Sequence, residues 1–486
     1  NNLLIPLFHN PLVSRTILCS LRTTMKVLQS GLSQLQKSLI SIRGPDATKF
    51  LNGLLTSRLL PQIVKKKQHT ISASESKHAD LASVIDSMTN YGLMHEDIYD
   101  PDYNIYVTRE GINSMILNSK GRVVTDCFLY CDPFHNVAHE FDEEMREPGF
   151  LLEVDTVNCS KLMMMLKLHK LSANVDIVAK KSLNSYYYYN DSVEFDSWLE
   201  MVQQQYFRTM DPINALQNAN SFIKNQVIFQ QDFASKVLGF AIDNRIPNFG
   251  FKFVTNEFID ESSIDDVFSS QFTQQFAIPS LISESNVTDR RFYNGIFETA
   301  DASNGESLLP FECNLDYTNG LSLDKGCYVG QELTIRTYNN GIIRKRIHPV
   351  QFFTIDDDTI DNINQANIDD DVEVAFASSL DVDKVPSSSL SKLEMSLMIE
   401  EEHKEDGDAN AQAAGGASPF GSSSKPVRKR KSSSGKVLAV RGDVGLCLLS
   451  MSEVAKSPFF KLEIPSFEDG KKIVGARAII PDWWPE

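Results

Sequence analysis

A cysteine in residues 325–332 has the neighbours of a reactive thiol. The segment reads K-G-C-Y-V-G-Q-E, with Lys325 two positions before Cys327 and Glu332 five positions after it. Exposure and nearby positive charge lower the pKa of a thiol and make it more reactive. Such a thiolate can serve as a nucleophile, as a soft ligand for a metal or cluster, or as a sulfur carrier. The alternative is an inert, half-buried thiol in a turn, the usual role of an isolated free cysteine.

The other polar residues of this segment bear on which role the thiol takes. Gly326 and Gly330 suit tight turns or the close approach of backbone to a ligand. Lys325 would favour the thiolate, and Gln331 would orient it. A nucleophile also needs a general base, and Glu332 is the candidate for that base within the segment. A cluster normally takes four protein ligands, so we expect the cysteine to be a transient cluster ligand completed by a partner protein.

The segment resembles the signature K-G-C-Y-x-G-Q-E of the YgfZ family, relatives of the glycine-cleavage T-protein. The seven fixed positions all agree: Lys325, Gly326, Cys327, Tyr328, Gly330, Gln331 and Glu332. The mitochondrial members of this family are iron–sulfur cluster assembly factors. The resemblance therefore implies a mitochondrial matrix factor that matures [4Fe–4S] proteins, such as aconitase-type and radical SAM enzymes, together with A-type scaffold partners. It leaves open the alternative of a folate-dependent aminomethyl or one-carbon transferase.

Weaker matches to the same family extend along residues 39–300, and a close match covers residues 291–350. Residues 39–56 predict a strand and then a helix, with apolar side chains at helical spacing. Residues 115–130 predict a β-hairpin whose turn carries Lys120 and Arg122.

The resemblance implies a tetrahydrofolate-binding cleft. By position, Glu312 would be the carboxylate that accepts hydrogen bonds from the pterin ring. Tyr328, Lys120, Arg122 and Arg336 are the other predicted cofactor-binding residues. Alternatively, Glu312 pairs with a lysine, and the two cations of the hairpin are simply solvated.

The resemblance also implies the architecture, an α+β three-domain ring. Residues 31–348 would form two interleaved α+β domains of the folate-binding type, and residues 349–486 a C-terminal antiparallel β-barrel. Residues 61–90 are polar and basic with no clear period, and we interpret them as an exposed insertion. Residues 181–235 fit the family poorly, and we interpret their tyrosine run 186–189 as an edge strand or surface insertion.

Charge is distributed unevenly along the chain. The first 45 residues contain no Asp or Glu but several Arg, Lys and Ser, a composition typical of a mitochondrial transit peptide, which we assign to residues 1–30. Between residues 356 and 408 there are 17 acidic side chains and three lysines. We predict that the barrel is interrupted at about 356–434 by a disordered acidic insertion.

The whole-chain composition excludes several classes of protein. The net charge of −17 argues against non-specific binding of the chain as a whole to nucleic acid or anionic lipid, and we expect no nucleic-acid partner. No run of residues reaches the roughly 20 apolar positions of a transmembrane segment. The seven cysteines include no C-x-x-C pair, so we expect neither a disulfide framework nor a structural zinc site.

Overall fold

The computed structural model of the chain describes residues 28–61, 73–98, 105–137, 146–208, 212–276, 278, 281–302, 307–365, 381–398, 433–466 and 470–485. Residues 1–27 of the predicted transit peptide and residues 366–380 and 399–432 of the predicted insertion lie outside these ranges. The chain forms two compact units. The first extends to Pro349 and resumes at Ile480, and the second comprises Val350–Ile479.

Secondary structure covers most of the described chain. The helices are α1 (Ala47–Asn52), α2 (Ala73–Val84), α3 (Thr156–Lys170), α4 (Val193–Val202), α5 (Pro212–Lys224), α6 (Gln231–Ala234), α7 (Ser270–Gln275), α8 (Glu284–Tyr293), α9 (Gln331–Asn339), α10 (Asp357–Gln365), α11 (Ser387–Leu390) and α12 (Met451–Val454). The strands are β1 (Ser30–Leu35), β2 (Lys37–Arg43), β3 (Leu93–Glu96), β4 (Ile105–Thr108), β5 (Ile112–Leu117), β6 (Val123–Cys131), β7 (Gly149–Asp155), β8 (Asp176–Lys180), β9 (Asn184–Asn190), β10 (Val237–Ile242), β11 (Phe251–Thr255), β12 (Lys345–Thr354), β13 (Glu394–Leu397), β14 (Gly435–Arg441), β15 (Val444–Ser450), β16 (Phe459–Ser466) and β17 (Gly470–Ala478).

The first unit contains two larger antiparallel sheets that are interleaved along the chain. One has the strand order β1-β9-β11-β10, and the other has the order β5-β6-β7-β2-β8. The chain therefore leaves the first sheet after β1, builds the second, and returns at β9. A shared cluster of buried side chains, which includes Leu39, Tyr130 and Val254, joins the two sheets.

The tyrosine run lies in the middle of the first sheet. Strand β9 pairs with β1 on one side and with β11 on the other, and all four tyrosines are buried. Tyr186 stacks on Phe253 with ring centroids 5.4 Å apart, and Tyr188 stacks on Phe251 at 5.1 Å. The prediction of an edge strand or surface insertion is therefore wrong, because this sheet is covered by apolar side chains on both faces.

The second unit is a closed antiparallel barrel with the order β12-β15-β14-β13-β16-β17. The α+β class and the C-terminal barrel are thus confirmed. The insertion was predicted too wide, because residues 381–398 include α11 and the barrel strand β13. Met395 of β13 is fully buried in the barrel core. A short strand with one buried apolar position gives little signal within such acidic sequence.

Candidate functional site

Residues 325–332, the signature segment, rest on the end of helix α1. This helix buries Ala47, Phe50 and Leu51 against the second sheet and stops at Asn52, where carbonyl groups at the helix end lack helical partners. The backbone N–H of Val329 donates to the carbonyl of Gly53 at 3.0 Å. The predicted strand-then-helix of residues 39–56 therefore positions the signature segment, about 270 residues later in the chain.

Lys325 fastens the segment to that helix end. Its ammonium group donates to the carbonyls of Asn52 at 2.7 Å, Leu55 at 2.6 Å and Ser57 at 2.9 Å. An ammonium group has three protons, so these three bonds use all of them. Burial, together with the nearby Arg58 guanidinium, lowers the pKa of Lys325 to about 7, and the Glu96 carboxylate opposes this shift. The lysine thus secures the segment and has no proton left to donate to the thiol.

Gln331 holds the backbone on both sides of the cysteine. Its side-chain oxygen accepts from the N–H of Tyr328 at 3.3 Å, and its amide nitrogen donates to the carbonyl of Lys325 at 3.5 Å. Tyr328 is buried, and its ring lies 4.7 Å from the Lys325 ammonium. These contacts fix the turn that carries Cys327.

Gly330 and the turn between β5 and β6 approach one another closely. Gly330 has φ +81°, and a Cβ there would lie 2.5 Å from the Asn118 carbonyl oxygen and 3.0 Å from the Cα of Gly121. The predicted close approach at Gly330 is a backbone contact within the protein. A Cβ on Gly326 would meet no atom within 4 Å, so no contact requires a glycine at that position.

This hairpin turn brings two predicted cations near the signature segment. Arg122 donates to the carbonyl of Ser307 at 3.0 Å. Lys120 is exposed at the tip of the turn. The neighbouring Ser119 lines the same shallow depression as Cys327.

Cys327 is exposed at this depression, whose other lining residues include Gln331, Glu332 and Arg336. Among the six cysteines of the described residues, it alone is exposed. Burial raises the pKa of the Cys131 thiol to about 11, and burial also raises that of Cys313. The thiol with access to solvent is therefore the one in the signature segment.

Glu332 and Arg336 form an ion pair of their own on helix α9. The Arg336 guanidinium donates to the Glu332 carboxylate at 2.5 Å, and the side chains are 65% and 84% exposed, respectively. Both line the depression at Cys327, so the structure brings predicted catalytic and cofactor-binding residues together there. The described contacts of Glu332 connect it to Arg336, and they include none with the thiol.

Glu312 lies in a different environment. Its carboxylate accepts from the backbone N–H of Leu309 at 2.8 Å, three positions earlier. Its own backbone carbonyl accepts from Ile347 at 2.9 Å.

A buried charge cluster beneath the signature segment escaped sequence analysis. Arg58 is 1% exposed; its Nε lies 2.8 Å from a Glu96 oxygen, and its Nη1 lies 2.7 Å from Nε2 of His78. It also donates to Asp324, next to Lys325. Burial and the Arg58 charge lower the pKa of His78 to about 4. His78 lies in α2, so residues 61–90 are not simply an exposed insertion. An arginine inside the apolar run L-L-T-S-R-L-L was the available signal.

Two of the cavities among the described residues of the first unit, here called the acidic cavity and the ion-pair cavity, are lined by none of the five predicted cofactor-binding residues. The acidic cavity, about 290 Å³, is lined by Glu96, Asp97, Glu110 and Glu200 together with Arg208 and the rings of Tyr106 and Phe207. The ion-pair cavity, about 310 Å³, is lined by side chains that already neutralise one another. In it, Glu298 lies 2.8 Å from both Lys37 and Arg245.

Two properties of the acidic cavity suit a heteroaromatic ligand. Burial raises the pKa of Glu110 to about 8, so this carboxyl group can be protonated near neutral pH and donate a hydrogen bond. Asp97 is held by Arg208 at 3.2 Å, and Arg208 lies 5.6 Å from the ring centroid of Tyr106.

The described residues contain no group of three or more His, Cys, Asp or Glu side chains arranged to hold a metal ion. Within the same ranges, no helix combines the length and apolar character needed to cross a membrane.

Comparisons with known proteins identify relatives over nearly the whole chain. Residues 344–486 match the domain family described as the CAF17 C-terminal beta-barrel domain. A protein of Bartonella henselae, the glycine cleavage system aminomethyltransferase T, aligns in structure with a TM-score of 0.44 and 10% identity, over 96% of this chain and 89% of that one.

Three curated relatives are described as the mitochondrial iron–sulfur cluster assembly factor IBA57 or as a homolog of it. The Candida albicans protein is 58% identical over 95% of this chain and 100% of its own length. The Debaryomyces hansenii protein is 52% identical over 95% and 100%, and the Saccharomyces cerevisiae protein 32% identical over 70% and 72%. The predicted mitochondrial location is thereby confirmed, and the chain belongs to the IBA57 family of mitochondrial iron–sulfur cluster assembly factors.

Proposed function

We propose that this protein assists the maturation of [4Fe–4S] proteins in the mitochondrial matrix, with Cys327 as the group that contacts the cluster. The observation that carries the proposal is the position of this thiol, exposed on a turn that Lys325 and Gln331 hold in place. A soft thiolate on a fixed turn suits the reversible binding of iron. The clients would be aconitase-type and radical SAM enzymes.

The cluster itself would be cargo that is shared with a partner. A [4Fe–4S] cluster is normally held by four cysteine thiolates, and Cys327 supplies one. The remaining ligands would come from an A-type scaffold protein seated at the shallow depression around Cys327. The exposed Glu332 and Arg336 border this depression and would contact such a partner.

Tetrahydrofolate would bind in the acidic cavity. The pterin ring presents adjacent N–H donors, and a carboxylate offers two matching acceptors. Glu200 borders this cavity from helix α4, and the rings of Tyr106 and Phe207 are among its lining side chains. The volume of about 290 Å³ lies at the lower end for ligand pockets and suits the pterin end of the molecule. These residues would replace the five predicted from the sequence as the folate-binding set.

The role of Cys327 is tested by replacing it in cells that lack the native protein. Cys327→Ser removes the soft ligand but hardly changes side-chain volume, so we expect normal protein levels and an aconitase activity reduced at least about tenfold. Cys313→Ser is the matched control, because this thiol is buried and close in sequence. Full aconitase activity with Cys327→Ser, or equal loss with both variants at normal protein level, would refute the proposal.

A parallel assay separates the proposal from the one-carbon transferase alternative. If the protein is a factor for [4Fe–4S] proteins, its loss should leave the aminomethyl-transfer step of glycine cleavage intact. If it is an aminomethyltransferase, its loss should abolish that step. The other components of the glycine cleavage assay are therefore added as purified proteins that do not depend on iron–sulfur clusters. Loss of aminomethyl transfer with normal aconitase would contradict the assembly role.

Folate binding is tested by titrating the purified protein with tetrahydrofolate in a calorimeter. Glu200→Gln keeps the side-chain shape but removes one of two equivalent acceptors, and should weaken binding by about tenfold. Glu194→Gln on the same helix is the control, because Glu194 is exposed and does not line the cavity. Absence of binding, or equal weakening by both changes, would reject this cavity as the folate site.

A further inference from the structure

Helix α3 has a second apolar face that points towards solvent. Its inner face buries Leu162 and Leu166. On its outer face, Val157, Met164 and Leu168 recur at helical spacing and are 76%, 70% and 72% exposed. Isolated apolar side chains on a surface are ordinary, but an aligned row of them indicates a contact surface.

Leu171, just after α3, continues this row at a cost in stability. It is 89% exposed and has φ 45° and ψ −117°. The N–H of Ala173 donates to the carbonyl of Lys170 at 2.8 Å, which closes a turn around it. A turn with these angles favours glycine at this position. Such an exposed side chain buries little apolar area to offset the backbone strain, so its presence calls for another role.

The same helix is basic in an acidic protein. Residues 156–171 contain three lysines and no acid, whereas the whole chain carries a net charge of −17. The helix dipole accounts for the lysines in the last turn of α3, such as Lys167. It does not account for Lys161 near the middle of the helix, which is exposed and follows Val157 by about one helical turn.

The side-chain chemistry distinguishes between two kinds of partner. Protein interfaces are enriched in Trp, Tyr and Arg and depleted in Lys, and residues 156–181 contain no Arg and no aromatic residue. Helices that lie on a membrane surface combine protruding apolar side chains with lysines, and anionic headgroups attract such lysines. The exposed row on α3 has this composition.

We propose that the outer face of α3, with Leu171 and the lysines of this helix, docks this protein on an anionic phospholipid surface. Met164, Leu168 and Leu171 enter the headgroup region, and the lysine ammonium groups lie beside lipid phosphates. The attachment is peripheral and reversible, because one short apolar row buries little area.

Sedimentation with phospholipid vesicles tests this docking on the full chain. We expect binding to vesicles of phosphatidylcholine with about 30% phosphatidylglycerol, and at least about tenfold less binding to phosphatidylcholine alone. Binding should fall as salt is raised from about 0.05 M to 0.5 M, because dissolved ions screen the attraction between the lysines and the lipid phosphates. Failure to bind anionic vesicles at low salt overturns the proposal and leaves the surface to a protein partner.

Two substitutions locate the contact. Leu168→Asp should reduce anionic-vesicle binding at least about fivefold, while Val193→Asp should not. Val193 is a matched control on α4, because it is 75% exposed and receives the same change of charge. An equal reduction by both variants would point to net charge alone and contradict the proposed face.

Leu171→Gly separates docking from folding. Glycine relieves the backbone strain, so the midpoint of thermal unfolding should rise by about 2 °C. Loss of the apolar side chain should at the same time weaken vesicle binding about threefold. If Leu171 served only the fold, the midpoint of thermal unfolding and vesicle binding would change in the same direction. That result would overturn the proposed role of Leu171 in docking.

Discussion

The signature segment has a buried part and an exposed part that do different work. Lys325 and Tyr328 are buried, and Lys325 bonds to three carbonyls of the chain after α1. Cys327 and Glu332 are exposed to solvent within the same eight residues. One part of the segment fastens the turn, while the other presents a thiol. The polar residues around a reactive cysteine thus need not act on the cysteine itself.

Loss of the Lys325 ammonium should have the largest effect on the buried part. Lys325→Met preserves most of the volume but leaves three buried carbonyls without their donor, so we expect a loss of about 4 kcal/mol in the free energy of unfolding. Urea denaturation monitored by tryptophan fluorescence measures it. Cys327→Ser should change the same quantity by less than about 0.5 kcal/mol. Similar losses in both variants would erase the distinction between the two parts.

The two glycines of the segment provide the next test. Gly330→Ala places a Cβ 2.5 Å from the Asn118 carbonyl oxygen at φ +81° and should cost about 3 kcal/mol. Gly326→Ala meets no atom within 4 Å and should change stability by less than about 0.5 kcal/mol. Chemical denaturation of the two variants side by side checks the difference. Equal tolerance at both positions would show that the hairpin does not constrain the segment.

Low pH should weaken the buried charge cluster beneath the signature segment, through protonation of His78. Its pKa is about 4 in the folded protein and near its ordinary value of 6.5 when unfolded. The unfolded chain therefore takes up the proton first, and stability falls as the pH drops from about 6.5 to 4, with no change above that window. Between pH 7.5 and pH 5 the loss assigned to this group is about 2 kcal/mol.

The pH dependence is checked by denaturation at several pH values. His78→Gln keeps an acceptor for Arg58 but cannot be protonated, so its stability should depend less steeply on pH. His169→Gln, at a half-buried position in the last turn of α3, serves as the control. An unchanged slope in His78→Gln would show that other groups govern the acid response.

These contacts mark the limit of what the sequence could predict. The hairpin at residues 115–130 and the strand and helix of residues 39–56 follow from local periodicity, whereas the C-terminal barrel was implied by the family resemblance. The structure contains each of them. The carbonyls that bind Lys325 lie about 270 residues earlier in the chain, and no local pattern announces such a partner. For the same reason Arg58, His78 and Glu96 were not seen as one cluster.

The tyrosines of β9 illustrate a second limit. Four consecutive aromatic residues show no alternation of apolar and polar side chains, so their pattern suits an irregular surface as well as a strand covered on both faces. Only the neighbouring strands β1 and β11, far away in sequence, decide that Tyr186 and Tyr188 face one core while Tyr187 and Tyr189 face another.

The smallest effect is expected in the exposed part, at the ion pair between Glu332 and Arg336. Both side chains are mostly exposed and lie four positions apart on α9, so Glu332→Gln should cost about 0.4 kcal/mol at low salt and nothing measurable at high salt. Denaturation at the two salt concentrations measures this. If the exposed part serves a partner, the same change should still reduce aconitase activity in cells. If Glu332→Gln lost as much stability as Lys325→Met, Glu332 would instead belong to the buried part that holds the segment in place.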